Sequence, residues 1–201
     1  MKKLFPMMVF LISMCFTAPS ISKDSYFFGG LKIFNYGLEP EDLQTINTSL
    51  VSLGFSSSTT ETDNSGVGFD VGVGINLSEN LAFEGGFVDY GTLEITTTTT
   101  GPSETIKTEA SGTGFTGALV GKFCEEGYCG YLKGGMHSWD WNVKVSTSLG
   151  TSSDGLGTGT DPFFGIGFRS QEDTGFYGSY DIYYLDGDDI SSFSFGYSWK
   201  F

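Results

Sequence analysis

The sequence predicts an all-β fold, an eight-stranded antiparallel up-and-down transmembrane β-barrel, and three observations support this. Apolar and polar residues alternate with period two in many segments, as expected of strands with one apolar face. Long polar connections alternate with short turns along the chain. No stretch of eighteen consecutive apolar residues occurs, which excludes a membrane protein built from helices.

The alternation is strongest at the C-terminus, where five aromatic residues alternate with serine, glycine and lysine. These aromatic residues are Phe193, Phe195, Tyr197, Trp199 and Phe201. The same pattern recurs at residues 69–77 and 164–168, so strands are predicted throughout the chain. The predicted strands are residues 26–34, 67–77, 80–93, 112–124, 129–145, 162–170, 175–185 and 190–201.

The connections between these strands alternate in length. Residues 35–66, 94–111 and 146–161 form long polar connections, and residues 78–79, 125–128 and 171–174 form short ones. Transmembrane barrels place their short turns in the periplasm and their longer loops outside. The fourth external connection, residues 186–189, is short and departs from this pattern.

Two of the long connections contain local signals. Pro40 begins a stretch with Leu43, Ile46, Leu50 and Leu53 at helical spacing, which predicts a short amphipathic helix. Packing over the barrel mouth is the favoured interpretation of this helix, and a binding surface is the alternative. Residues 96–102 predict a flexible or extended tip with no assigned chemistry.

The N-terminus has the order of features of a secretory signal peptide. Lys2 and Lys3 precede an apolar run and a segment of small residues, which predicts a signal peptide over residues 1–22 and a barrel domain over residues 23–201. The apolar run is too short to span a membrane as a helix. Cys15 raises the alternative of a lipoprotein, which Met14 disfavours as its neighbour.

Charge and cysteines limit the partners and the compartment. The net charge of −14 becomes more negative when Lys2 and Lys3 are removed, so nucleic acid is excluded as a partner. Cys124 and Cys129 flank a short polar segment between apolar strands, which predicts a hairpin disulfide in an oxidising compartment. The alternative, a redox or metal pair, lacks CxxC spacing and a nearby histidine.

The narrow interior of an eight-stranded barrel determines which face meets lipid. Rows of aromatic residues from several strands would overfill that interior, so they are expected to face outward. The opposite face then predicts an interior charge network that seals the barrel as a polar plug, with a gated conduit as the alternative. The network residues are Asp70, Glu84, Lys122, Lys133, Arg169 and Asp181. Lys133, Trp139 and Trp141 share one face of their strand, so an inward Lys133 also places both Trp residues inside. A bulge near Gly134 and Gly135 would return Trp139 to the outer face.

The final strand, FGYSWKF at residues 195–201, resembles the terminal strand of small outer-membrane barrels. The segments NLAFEGGFVDYG, PFFGIGFR and GFYGSYDIYYLDGDD are similar to their counterparts in the OmpA/OmpX-type eight-stranded family. This resemblance implies an outer-membrane protein, surrounded by lipid and lipopolysaccharide, with Glu84, Lys122, Arg169 and Asp181 inside. It also implies that the barrel-assembly machinery reads the five C-terminal aromatic residues, and we expect a monomer.

The resemblance leaves the activity open, because the family includes structural proteins, adhesins, resistance factors and lipid-modifying enzymes. The single histidine, His137, is followed by Ser138, and neighbours in a strand point to opposite faces. A nucleophile and its base are therefore not apparent, and we expect no enzyme, catalytic residue or cofactor. The cluster of Asp186, Asp188 and Asp189 lacks the ligand series of a calcium loop, so no metal is expected.

The external connections are strongly acidic. These connections contain thirteen carboxylates and one basic residue, Lys107, which predicts a net charge of −12 for the outer rim. We expect a structural or surface-interaction role through these acidic loops, adhesin-like or envelope-stabilising, with divalent cations bridging the rim to lipopolysaccharide phosphates and an unidentified extracellular ligand. The alternatives are a lipid A-modifying enzyme, a narrow pore and a soluble ligand-binding barrel.

Overall fold

The computed structural model describes residues 25–201 apart from residues 39, 53, 55, 102, 172–173 and 187, and apart from the side chains of residues 42 and 57. The predicted signal peptide and its cleavage site lie outside the described residues. None of the helical segments within the described ranges is long and apolar enough to cross a membrane.

The described chain forms nine strands and one helix in a single antiparallel sheet. The elements are β1 (Ser25–Asn35), α1 (Pro40–Ser52), β2 (Ser57–Asp63), β3 (Ser65–Ser78), β4 (Leu81–Thr100), β5 (Glu104–Glu125), β6 (Tyr128–Thr147), β7 (Gly150–Ser170), β8 (Thr174–Leu185) and β9 (Asp188–Lys200). β1 pairs with β3 and β9, and the sheet closes where β4 pairs with β5. The predicted eight-stranded antiparallel barrel is confirmed, with β2 as an additional strand outside the ring.

Two of the long connections are strands rather than loops. Residues 94–111 and 146–161, predicted as polar loops, lie mostly in the β4–β5 and β6–β7 hairpins. The prediction was wrong because polarity was taken as a loop signal, whereas β-branched threonines favour strands that are polar on both faces. These two long connections therefore consist mostly of strands that extend outside the membrane, whereas the short connections are turns.

The extensions form a five-stranded external sheet, composed of β2 and the outer ends of β4, β5, β6 and β7. β2 was not predicted. It pairs with the outer part of β4, and β3 pairs with the part of β4 inside the barrel wall in nearly the same register. The predicted helix is present as α1, which packs on the face of this sheet that continues the barrel interior. The side-chain Oδ1 of Asn47 on α1 accepts hydrogen bonds from the hydroxyls of Ser58 and Thr60, each at 2.8 Å.

The predicted aromatic rows face outward. The side chains from Phe193 to Phe201 on this face are between 46% and 64% exposed, as expected of a surface that meets lipid. A second set of aromatic residues fills the half of the interior that lies nearer the external connections. This corrects the expectation that aromatic rings would overfill the interior. These buried residues are Phe34, Tyr36, Tyr90, Trp141, Phe163 and Tyr183.

Glycine on the neighbouring strand makes room for these interior rings. A Cβ atom at Gly112 would lie 2.5 Å from the Trp141 indole, and one at Gly72 would lie 2.5 Å from the Phe28 ring. Both rings therefore occupy space that any other residue would fill, as happens when aromatic residues cover glycine across a sheet. The interior holds more aromatic volume than strand number alone suggests.

Candidate functional site

Asp181 is the centre of a buried ion cluster in the lumen. Its carboxylate accepts Lys32 Nζ at 2.6 Å and Lys133 Nζ at 2.9 Å, and its side chain is fully buried. Asp70 lies 3.6 Å from the same Lys32 ammonium group, which also donates to Ser194 Oγ at 2.6 Å. These contacts join β1, β3, β6, β8 and β9 across the barrel axis.

A second cluster lies nearer the end with the short turns. Glu84 Oε1 accepts Arg169 Nη2 and the Tyr26 hydroxyl, each at 2.7 Å. The Arg169 guanidinium lies 4.3 Å from the centre of the Tyr26 ring, and the Tyr177 hydroxyl donates to Asp70 Oδ1 at 2.6 Å. Across both clusters, three carboxylates face three cations, so their formal charges cancel.

The structure brings five of the six predicted network residues into these clusters. Lys122 lies apart, at the barrel end with the short turns, where its ammonium group donates to Asn76 Oδ1 at 2.7 Å. The prediction missed Lys32, although Leu31 and Ile33 on either side of it face outward. β1 carries aromatic residues on both faces, which hid the alternation that would have placed Lys32 inside.

His137 belongs to the aromatic layer above the ion clusters and is fully buried. Its Nε2 lies 2.7 Å from the Tyr184 carbonyl oxygen and its Nδ1 lies 2.5 Å from the Tyr90 hydroxyl. Because a carbonyl only accepts hydrogen bonds, Nε2 carries the hydrogen, and the Nδ1 of the neutral ring accepts from Tyr90. Ser138 faces outward and is exposed, so this strand places no nucleophile beside His137.

Trp139 and Trp141 share the inward face with Lys133. The register of β6 with both neighbours is continuous past Gly134 and Gly135, so the bulge suggested there is wrong. Trp139 remains inside because its indole donates to Asp161 Oδ2 at 2.7 Å, which satisfies its polar atom. The register shift between β6 and β7 falls instead beyond Trp141, at the base of the external sheet.

The end of the barrel with the short turns carries the disulfide. Cys124 and Cys129 are paired across the β5–β6 hairpin and are joined by a disulfide, with their Cα atoms 4.0 Å apart. Outer-membrane barrels place this end in the periplasm, where disulfides form. The described parts of the chain contain no group of three or more His, Cys, Asp or Glu side chains that could hold a metal ion.

The outward face of the external sheet carries a chain of ion pairs. Lys107 lies 2.8 Å from Glu94 and 3.2 Å from Glu109, and Lys144 lies 2.8 Å from Glu109. Hydrogen bonds from Lys144 and then Lys107 lower the pKa of the Glu109 carboxyl group. Lys144 was assigned to a membrane-spanning strand, but β6 extends further outside, so Lys144 belongs with Lys107 to the basic residues of the external sheet.

The external sheet has an open edge at β7. β8 pairs with β7 only as far out as Phe163, so the outer edge of residues 150–162 has no partner strand among the described residues. The short β8–β9 turn lies below this edge, where the backbone amide of Asp186 contacts Asp161 Oδ2 at 3.4 Å. Both elements carry carboxylates, namely Asp154 and Asp161 on β7 and Asp186, Asp188 and Asp189 at and beside the β8–β9 turn.

The comparisons with known proteins agree with this architecture. Ail, the attachment invasion locus protein of Yersinia pestis, is similar over 89% of this chain and 98% of its own, with a TM-score of 0.53 and 15% identity. Neisserial surface protein A is similar over 91% of this chain and 100% of its own, with a TM-score of 0.49 and 14% identity. Comparison with curated proteins gave no match. The family model for the outer membrane protein beta-barrel domain matches residues 9–201, so the chain belongs to that family and is an integral protein of the outer membrane.

Proposed function

We propose that this protein is a non-enzymatic surface-interaction barrel, in which a sealed lumen anchors the external sheet outside the cell. The observation that carries the proposal is the external sheet itself, in which β2 and the outer ends of four ring strands continue outside the barrel with α1 packed on the inner face. A loop with mobile backbone would lose entropy on binding, whereas a paired sheet is already ordered.

The open edge of β7 indicates the kind of partner. Unpaired backbone groups on an edge strand can accept an added strand, which gives affinity through main-chain hydrogen bonds. The neighbouring carboxylates favour a partner with basic side chains. An extended basic segment of another protein fits both properties, and this is an adhesin-like role.

Hydrogen exchange in lipid nanodiscs tests this role. The probe is a synthetic peptide of alternating lysine and valine, and its control carries proline in place of valine, because proline cannot donate a backbone hydrogen bond. We expect the probe to slow amide exchange in residues 150–162 while β2, at the opposite edge, is unchanged. Equal protection by both peptides, or none by either, would contradict strand addition.

The acidic rim also supports an envelope-stabilising role, with divalent cations bridging its carboxylates to lipopolysaccharide phosphates. Removal of divalent cations by a chelator should then release lipopolysaccharide that co-purifies with the barrel. The matched comparison is a variant with Asp154, Asp188 and Asp189 changed to asparagine, from which the chelator should release less. If the chelator releases no lipopolysaccharide from either protein, the bridging role is contradicted.

The absence of catalysis is part of the proposal and has its own test. Mass spectra of lipid A from cells that overproduce the protein should match spectra from cells that lack it. A gained or lost acyl chain that depends on His137 would overturn the non-enzymatic assignment. We further propose that the barrel is a monomer and that the assembly machinery recognises its C-terminal aromatic row.

A further inference from the structure

Trp139 lies beside the open edge of the external sheet. It is paired with Gly159 on β7, and its indole ring covers the inner side of that strand. A Cβ atom at Gly159 would lie 2.5 Å from Trp139 Cζ2, and one at Gly157 would lie 3.5 Å from Trp139 Cζ3. The ring therefore occupies the side-chain positions of two glycines on the edge strand, next to the line along which a further strand would pair.

A carboxylate fixes the orientation of this ring. The Trp139 indole donates to Asp161 Oδ2 at 2.7 Å, and the backbone amide of Asp186 contacts the same oxygen at 3.4 Å. Among the described residues both contacts fall on Oδ2, which leaves Oδ1 of the half-buried Asp161 to accept from a ligand. An aromatic ring and a carboxylate oxygen thus lie side by side at the mouth of the barrel.

Trp139 differs from the buried rings of the aromatic layer. Trp141 is 7% exposed, stacks on Tyr90 and covers Gly112, and its indole nitrogen has no hydrogen-bond partner among the described residues. Trp139 packs at the border of this layer and is only partly buried. Covering glycine does not require a carboxylate, so the pairing of Trp139 with Asp161 adds a charge that this structural role does not explain.

The basic residues of the external sheet lie on its other face. Lys107 and Lys144 form ion pairs with glutamates on the outward face, whereas Asp161 belongs to the inward face with Trp139. These lysines therefore do not neutralise Asp161, and Asp186 beside it adds a second negative charge. A cation that enters from outside is favoured at this position.

The lumen shows how this chain binds a cation with a ring and a carboxylate. The Arg169 guanidinium lies 4.3 Å from the centre of the Tyr26 ring, and its Nη2 donates to Glu84 Oε1 at 2.7 Å. A planar guanidinium stacks on an aromatic face while its N–H groups reach a neighbouring carboxylate. Trp139 and Asp161 offer the same two groups at the open edge, without an arginine from this chain among the described residues.

We propose that Trp139 and Asp161 form a binding site for the guanidinium group of an arginine side chain, carried by the strand that adds to β7. This inference rests on the proposed function and deepens it, because it names the side chain that the partner presents. A strand paired with β7 at Gly159 would place its inward side chains next to the Trp139 ring. Lysine is the weaker ligand, because its ammonium group is strongly hydrated and has no planar face.

Small probes test the site without strand addition. In nanodiscs that contain the protein with ¹⁵N-labelled tryptophan, NMR follows the indole N–H signal of Trp139, which the variant Trp139→Phe identifies. Ethylguanidinium should shift this signal, ethylammonium at the same concentration should shift it about fivefold less, and neutral ethylurea should not shift it. Equal shifts with the two cations, or no shift with ethylguanidinium, would overturn the site.

Matched variants show whether Asp161 acts locally. Asp161→Asn removes the charge but keeps an oxygen that can accept the Trp139 indole, so the ring should stay in place and the response to ethylguanidinium should fall about tenfold. Asp140→Asn removes a carboxylate from the exposed outward face of the same strand, where its contact is Asn142, and should leave the response unchanged. Equal loss in both variants would show general attraction by negative charge and overturn the proposal.

Peptides then test the partner strand. A peptide of alternating arginine and valine should protect residues 150–162 from hydrogen exchange at about tenfold lower concentration than the lysine–valine peptide. Trp139→Leu keeps an apolar cover over Gly159 and should abolish this preference. Protection without a preference for arginine would overturn the arginine site and leave strand addition intact. Failure of both peptides, with the ethylguanidinium shift present, would contradict strand addition and support the site alone.

Discussion

Asp181 shows how one residue can hold the middle of the barrel together. Its carboxylate binds Lys32 and Lys133 from two other strands, and the pair Lys32–Asp181 has almost no exposure to solvent. Buried ion pairs of this kind add little over an apolar core, but loss of one partner leaves an uncompensated charge. The lumen is therefore sensitive to single changes in charge.

Replacement of Lys32 by methionine should reveal this sensitivity. Lys32→Met leaves Asp70 without its nearest cation and Asp181 with Lys133 alone, and should lower the free energy of unfolding by about 3–5 kcal/mol. The double variant Lys32→Met with Asp70→Asn restores neutrality and should recover part of the loss. Lys107→Met, in an exposed pair on the external sheet, should have little effect. Urea unfolding in detergent micelles measures all three, and unchanged stability of Lys32→Met would contradict the role of this network.

At the scale of elements, a bulge in β4 joins the barrel to the external sheet. The pairing of β4 with β5 shifts between Asp89 and Thr92, and Gly91 has a φ of 75° at this point. A side chain at Gly91 would be strained by that backbone conformation and would lie 2.8 Å from the Val67 carbonyl oxygen. The bulge lets Leu93 pack against the interior aromatic cluster.

Gly91→Ala should therefore destabilise the protein by about 1–2 kcal/mol, because L-residues with positive φ are disfavoured. Gly117→Ala is the matched control, since Gly117 is an outward-facing glycine where a Cβ would have no neighbour closer than 3.7 Å. Thermal unfolding followed by electrophoretic mobility compares the two variants. Equal midpoints would show that the bulge tolerates a side chain.

The external sheet should be separable from the barrel. Leu93 and Ala110 are paired across β4 and β5, so a two-residue Asn-Gly turn can replace residues 94–109 between them. We expect this variant to insert and fold, while α1 loses part of the sheet beneath it and becomes sensitive to protease. A variant that fails to assemble would show that the hairpin is needed for folding of the barrel.

At the scale of the whole molecule, two layers close the lumen. The ion clusters leave a cavity of about 20 Å³ lined in part by Asp70, Glu84 and Lys133, which has room for about one water molecule. Above them, the aromatic layer that includes Tyr90, His137 and Trp141 fills the outer half. An ion would have to displace both layers in order to cross.

The wild-type protein should therefore show no stepwise conductance in a planar bilayer. Tyr90→Ala with Trp141→Ala removes rings from the outer layer alone, and should still conduct little because the ion clusters remain. Addition of Lys32→Ala and Asp181→Ala should open the lumen and produce steps. Conductance of the wild-type protein would favour the narrow pore that we regard as the alternative.

The sequence by itself determined which face of most strands is apolar, that Cys124 and Cys129 meet across a hairpin, and that His137 and Ser138 point apart. These follow from the two-residue period of a strand, which is a local property. Tertiary structure decided that Lys32 binds Asp181 149 positions away, that polar threonine segments pair as an external sheet, and that rings such as Trp141 lie over glycine. Alternation specifies a face, but only register and closure of the ring specify which neighbour each side chain meets there.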